Sequence, residues 1–227
     1  MIKPHEKFEE VYWAYLEDGS KFLATKNLVP GIKVYDEKLI NYMNVEYRLW
    51  NPYRSKLAAA ILNGLKELPI KPSTKVLYLG SATGTTVSHV SDIVGEKGII
   101  YAVDIAPRVM REFLTKCAQH RKNIIPVLAD ARKPKSYYNI VDEVDVIYTD
   151  IAQPQQAAVV IANSEFYLKK GGKILFIIKA MSIDVTQKAD ITFQMEINEL
   201  KNSGFNIIQT LNLEPYDIDH ALVLASY

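Results

Sequence analysis

The stretch Val76-Leu-Tyr-Leu-Gly80-Ser-Ala-Thr-Gly84-Thr-Thr86 decides the fold. Val76, Leu77 and Leu79 make the short apolar run of a strand covered on both faces. Gly80 and Gly84 bracket a tight turn, where a positive φ or a close backbone approach suits glycine. Thr85 and Thr86 start a helix that Val87, Val90 and Val94 continue. Strand, glycine turn and helix N-terminus together hold a small polar ligand, because free N–H groups and the helix dipole point into the turn.

Downstream the pattern repeats. Ile99 to Val103 is a second apolar strand closed by Asp104, and Pro107 opens a helix. Ile124 to Leu128 leads to Asp130, and Val144 to Tyr148 leads to Asp150. Gln155 to Leu168 reads as a helix stopped at Gly171-Gly172, and Lys173 to Ile178 as a strand ending in Lys179. A helix over Ile191 to Leu200 follows, then a closing strand pair, Phe205 to Leu213 and Ala221 to Ala225. Strands alternating with helices predict an α/β fold with a mostly parallel, Rossmann-like sheet. Upstream, Asn51-Pro52 reads as the start of a helix ending near Leu68, with Asn as N-cap and Pro at the first position.

Residues 1–50 differ. Val11 to Tyr15 and Lys21 to Thr25 are strand-like around the hairpin chemistry of Glu17-Asp-Gly-Ser20. Ile32 to Tyr35 and Val45 to Trp50 are further candidates. This predicts a small N-terminal antiparallel β unit (1–50) ahead of the larger α/β domain (51–227). It is rich in aromatics, including Trp13 and Trp50, and reads either as a small core sheet or as a docking surface for RNA or a partner.

The 227 residues are 48% hydrophobic and 23% charged, enough for one large domain or a large and a small one. No apolar run spans a bilayer, so no membrane is expected. Met1 to Phe8 carries Lys3, His5, Glu6 and Lys7 and is no signal peptide. The one cysteine, Cys117, excludes an internal disulfide and fits a reducing, cytoplasmic setting. It lies in a helical pattern as a packing residue. Histidines without cysteine partners give no metal pattern. A net charge of +1 argues against non-specific coating of nucleic acid.

Ligands of open α/β sheets bind at the carboxyl ends of the strands, where Asp104, Asp130, Asp150 and Lys179 fall. One such Asp reads as a helix cap; three with a lysine read as a site. Asp104 lies about 20 residues past the glycine turn, the offset of a carboxylate that accepts from ribose hydroxyls. The loop is not G-x-G-x-x-G, so the dinucleotide fingerprint fails, and no Gly-Lys-Ser/Thr makes a P-loop. An adenosine ligand without pyrophosphate remains, with S-adenosylmethionine leading. Asp130-Ala131 is then placed near the adenine. Lys179, between apolar neighbours, pairs with Asp150 to orient and deprotonate a hydroxyl nucleophile. Lys56 reads either as a solvated helix residue or as a member of the same rim.

Four segments carry a resemblance: Tyr47-Arg-Leu-Trp-Asn-Pro-Tyr-Arg-Ser-Lys56, Leu77 to Val90, Asp150-Ile-Ala-Gln-Pro154, and Glu214-Pro-Tyr216 with Asp219-His-Ala221. In this order they closely resemble fibrillarin in its archaeal form, over essentially the whole chain. The resemblance implies an S-adenosylmethionine-dependent ribose 2′-O-methyltransferase acting on rRNA and tRNA. It implies a box C/D guide RNA, a Nop-domain scaffold protein and a kink-turn-binding ribosomal-type protein as partners. It implies cofactor contacts from Gly80, Ala82, Thr85, Thr86, Asp104, Ile105, Asp130, Ala131, Asp150, Ile151, Ala152 and Gln153. It also implies a catalytic group of Lys56, Asp150, Lys179 and His220, and no metal. Tyr78 stands where related methyltransferase loops carry an acid. The alternatives are a protein or small-molecule methyltransferase on the same fold, or a scaffold that keeps the fold without the reaction. Asp150-Ile-Ala-Gln-Pro, in place of an Asn/Asp-Pro-Pro-Tyr loop, speaks against an amine substrate.

Overall fold

A computed structural model describes residues 1–227. Its N-terminal part is a five-stranded antiparallel sheet in the order β1-β2-β3-β5-β4, formed by Ile2–Pro4, Val11–Tyr15, Lys21–Lys26, Leu39–Tyr42 and Val45–Trp50 as β1 to β5. Strands β1 and β4 were not expected, and the expected strand at Ile32 to Tyr35 is a loop. There the Glu37 carboxylate accepts from the backbone N–H of Val34 (2.9 Å) and Tyr35 (2.8 Å), taking donors a ladder would need. Met43 and Asn44, with φ of 51° and 61°, make the tight β4–β5 turn.

The expected helix from Asn51 is also corrected. Asn51 Oδ1 accepts from Tyr53 N (2.9 Å), so residues 51–54 form a side-chain-locked turn. Helix α1 is Lys56–Leu62, capped by Ser55. It stops where Gly64 takes a φ of +91°.

The main sheet has seven strands. They are Lys75–Leu79 (β6), Ile99–Asp104 (β7), Ile124–Leu128 (β8), Val144–Thr149 (β9), Leu168–Lys179 (β10), Asn206–Asn212 (β11) and His220–Ser226 (β12), in the order β11-β12-β10-β9-β6-β7-β8. Strands β6 to β10 pair in parallel, while β12 pairs antiparallel with both β10 and β11. Strand β10 starts earlier than its apolar run because the chain pairs at Leu168, shifts register, and resumes pairing at Lys173. Helix α2 (Thr85–Val94) follows β6, α3 (Pro107–Lys116) follows β7, α4 (Gln156–Tyr167) follows β9, and both α5 (Ala180–Ile183) and α6 (Ala189–Asn202) lie between β10 and β11.

Alternation along each strand sorts the two faces. On β6, Val76 and Tyr78 join α1, α2 and α3 on one face, while Leu77 and Leu79 join α4 and α6 on the other. The first face also receives the small sheet. Val11, Leu23 and Trp50 pack in the same apolar core as Leu57, Val87 and Val146.

A buried polar network pins that contact. Arg48 on β5 reaches Glu37 (2.6 Å) and Asp92 on α2 (2.8 Å), and Arg121 reaches the other Asp92 oxygen (2.6 Å). All four side chains are 0% exposed. Asp92 Oδ2 also accepts from the Thr25 hydroxyl (2.7 Å), so that hydroxyl accepts from His89 Nδ1 (2.8 Å) and Tyr35 donates to His89 Nε2 (2.7 Å). Burial then holds His89 neutral, well below its usual pKa.

The strand order reverses between β6 and β9, so the crevice opens where their carboxyl ends part.

Candidate active site

A cavity of about 240 Å3 lies at that reversal. Gly80 and Ala82 line it from the loop after β6, and Asp104 and Ile105 from the end of β7. Asp130, Ala131 and Arg132 follow β8; Asp150 to Gln153 follow β9; Lys179 ends β10.

Gly80 has a φ of +88°, and a Cβ there would sit 2.6 Å from the Asp150 carbonyl oxygen. Only glycine lets the β6 and β9 ends approach so closely. Ala82 also has a positive φ, +48°, which aims its N–H at Asp104 Oδ2 (3.0 Å). Ala106 N donates to the other Asp104 oxygen (3.0 Å). The carboxylate is therefore held rigidly yet keeps lone pairs for a diol. Asp130 takes Arg132 Nε (2.9 Å) and Nη2 (2.7 Å), and this hydrogen bonding keeps its carboxyl below the usual range.

Thr85, Thr86, Lys56 and His220 do not line the cavity. Thr86 turns away from it and donates to Ser55 Oγ (3.0 Å), tying the glycine-loop helix to the cap of α1. That bond fixes the residue before Lys56. Lys56 and His220 reach the site through carboxylates. Lys56 Nζ lies 3.3 Å from Asp150 Oδ2 and 3.4 Å from Asp217 Oδ2. Lys179 Nζ lies 2.8 Å from Asp150 Oδ1 as an ion pair, and its hydrogen bond goes to the Asp150 carbonyl (3.1 Å). Asp150 Oδ1 is buried, with the Lys179 ammonium as its near neighbour. His220 Nδ1 is 2.9 Å from Asp217 Oδ1 and 2.6 Å from the Ile218 carbonyl, so Nδ1 carries the proton and Nε2 is left open.

Two members of this group were not anticipated. Asp217 bridges Lys56 and His220. Burial would raise its carboxyl, but the His220 hydrogen bond and the Lys56 charge outweigh that and hold it below the usual value. Buried Gln156 accepts from Lys179 N (2.9 Å) and donates to Lys179 O (3.2 Å), clamping the lysine's backbone. A Gln two residues past Pro154, at the start of a helix, was its only signal. Tyr78, at the usual acidic position, points away and stacks on Tyr148, with ring centroids 4.5 Å apart. It is fully buried, which pushes its hydroxyl well above the ordinary range.

The cavity and the charged group share Asp150 and Lys179. A family model described as Fibrillarin matches residues 2–227. The chain belongs to the fibrillarin family. A fibrillarin-like rRNA/tRNA 2′-O-methyltransferase of Pyrobaculum aerophilum is 57% identical over 99% of this chain and 96% of its own length. The structure of Aeropyrum pernix fibrillarin in complex with natively bound S-adenosyl-L-methionine superposes with a TM-score of 0.93 at 51% identity, covering 99% of this chain and 97% of that one. The chain in a fibrillarin/Nop5p complex gives 0.84 at 41% identity, covering 97% and 99%. In this fibrillarin-family chain the four quoted segments converge on one rim. Tyr47 to Lys56 delivers Lys56, Leu77 to Val90 the glycine loop, Asp150 to Pro154 the carboxylate, and Glu214 to Ala221 the Asp217–His220 pair.

Proposed function

We propose that this chain transfers the methyl group of S-adenosylmethionine to ribose 2′-hydroxyls of rRNA and tRNA. The observation that carries this reading is the double membership of Asp150 and Lys179. Both line the cavity that fits the adenosyl donor, and both belong to the charged group. The cavity suits the cofactor: a glycine lets the strand ends close, Asp104 is aimed for a diol, and Ile105 gives an apolar edge. Bound S-adenosylmethionine supplies an electrophilic methyl group on a positive sulfur. Asp104 would hold the ribose end, and Asp130 with Ala131 would flank the base.

The chain's own chemistry is positioning and proton removal. Lys179 acts on the substrate 2′-hydroxyl, with Asp150 as its charge partner. The Asp150 carboxylate would take the hydroxyl proton while Lys179 holds the oxygen; the donor, where bound, would give up its methyl group from sulfur and leave as the neutral thioether. Lys56 and His220, joined through Asp217, position Asp150 and the ribose.

A box C/D guide RNA selects the target, a Nop-domain scaffold protein docks the enzyme, and a kink-turn-binding ribosomal-type protein completes the assembly in the cytoplasm. A net charge of +1 supports delivery by partners, since electrostatic RNA affinity scales with phosphates neutralised. The test is transfer from labelled S-adenosylmethionine to guide-matched RNA with both proteins present. Wild type should methylate a single 2′-hydroxyl, and Lys179→Ala and Asp150→Ala should not. Transfer to free amines, or undiminished transfer by both variants, would overturn the reading.

A further inference from the structure

A second cleft, of about 420 Å3, lies between the small sheet and the turn at residues 51–54. Its walls include Phe22, Tyr35, Tyr53 and Tyr216, with Lys21 and Lys38 among its polar lining. Tyr53 is 67% exposed and meets Tyr216 edge to face, with centroids 5.2 Å apart at 71°. An aromatic ring left this open serves no core. The lining carries two lysines, Lys21 and Lys38, and two carboxylates, Asp36 and Glu37. Glu37 also borders the cleft, but its carboxylate is enclosed by Arg48 and presents no charge outward. Asp36 is opposed by Arg54 at 3.6 Å and the Lys21 ammonium lies over the Trp13 ring at 3.6 Å, which leaves Lys38 to face the cleft. An open aromatic face beside an ammonium group suits a flat base attached to a phosphate. The position is also telling. Tyr53 precedes Lys56 by three residues, and Tyr216 directly precedes Asp217.

We propose that this cleft is an RNA subsite that stacks one unpaired base of the bound RNA on Tyr53, which Tyr216 braces edge to face, with its phosphate toward Lys38. The proposal rests on the ribose methyltransferase reading and adds a positioning element to it. A base seated there anchors the strand on the Lys56–Asp217 side of the reacting ribose.

The test places 2-aminopurine, one position at a time, at the unpaired nucleotides of the guide and substrate RNAs in the assembled complex. One position should lose emission when wild-type enzyme is added. Tyr53→Ala should abolish that change and raise the KM for RNA at least about fivefold with kcat little altered, and Tyr53→Phe should restore both. Because Tyr53 is exposed, the alanine variant should melt with the wild type. No emission change at any position, or an unaltered KM in Tyr53→Ala, would overturn the subsite while wild-type methyl transfer left the reaction standing. A Tyr53-dependent change in a complex that transfers no methyl group would support the subsite and remove the reaction. Weaker scaffold association in Tyr53→Ala, with the emission change intact, would assign the cleft to protein instead and overturn the proposal.

Discussion

Asp217 does at residue scale what the motif residues cannot do alone: it keeps Lys56 and His220 in one arrangement. Asp217→Asn removes its charge with little change in shape. Hydrogen bonds to charged groups are worth about 1.5–3 kcal/mol, so methyl transfer should fall by roughly 10- to 100-fold. Affinity for S-adenosylmethionine, measured by calorimetry, should not move, since Asp217 lies outside the cofactor cavity. A loss of cofactor affinity equal to the loss of rate would show that this separation of roles is wrong. The same carboxylate gives a pH signature. Its folded pKa is depressed, so its pairing adds stability above the unfolded carboxylate value of about 4. That stability disappears as pH falls through the lowered folded value. The gap in urea stability between wild type and Asp217→Asn should therefore be present at neutral pH and close under acid conditions.

At the scale of elements, the junction of β6 with β9 sets the site, and Gly80 is its hinge point. Gly80→Ala combines a positive-φ penalty of about 1–2 kcal/mol with an overpacking penalty of about 1–3 kcal/mol. Its Cβ would press on the backbone that carries Asp150. Stability and cofactor affinity should fall together, by urea titration and calorimetry; a variant with wild-type affinity would mean that the loop has slack. The βαβ alternation was legible because strands buried on both faces leave short apolar runs such as Val76 to Leu79. Asp104, Asp130, Asp150 and Lys179 were legible because each closes such a run. Asp217 was not, because its place depends on β12 returning antiparallel beside β10, which sets His220 opposite Lys179. Nothing local encodes that pairing. The start of α1 was misread because Asn51 caps a turn as readily as a helix, and only the tertiary context selects Ser55. The loop at Ile32 to Tyr35 was misread because Glu37 competes for its amides through a side chain.

At the scale of the molecule, the two sheets share a core and a buried ion network, and they should unfold together. Both tryptophans, Trp13 and Trp50, sit in the small sheet, so their emission reports that part while far-UV circular dichroism reports the whole. Coincident urea transitions are expected; an earlier tryptophan transition would show two separable units. Arg48→Met should destabilise the chain by about 3–5 kcal/mol, because it leaves Glu37 and Asp92 short of a buried partner. The fully enclosed Cys117 has a more practical consequence. Burial pushes its thiol up to about 12, and its Cβ lies close under Gly84. Thiolate is the reactive form, so the folded chain should resist maleimides and Ellman's reagent at neutral pH and react only once denatured. The natural protein can then be dyed or tethered at one chosen point, such as Met43→Cys on the 80% exposed tip of the β4–β5 turn, without first removing a native thiol.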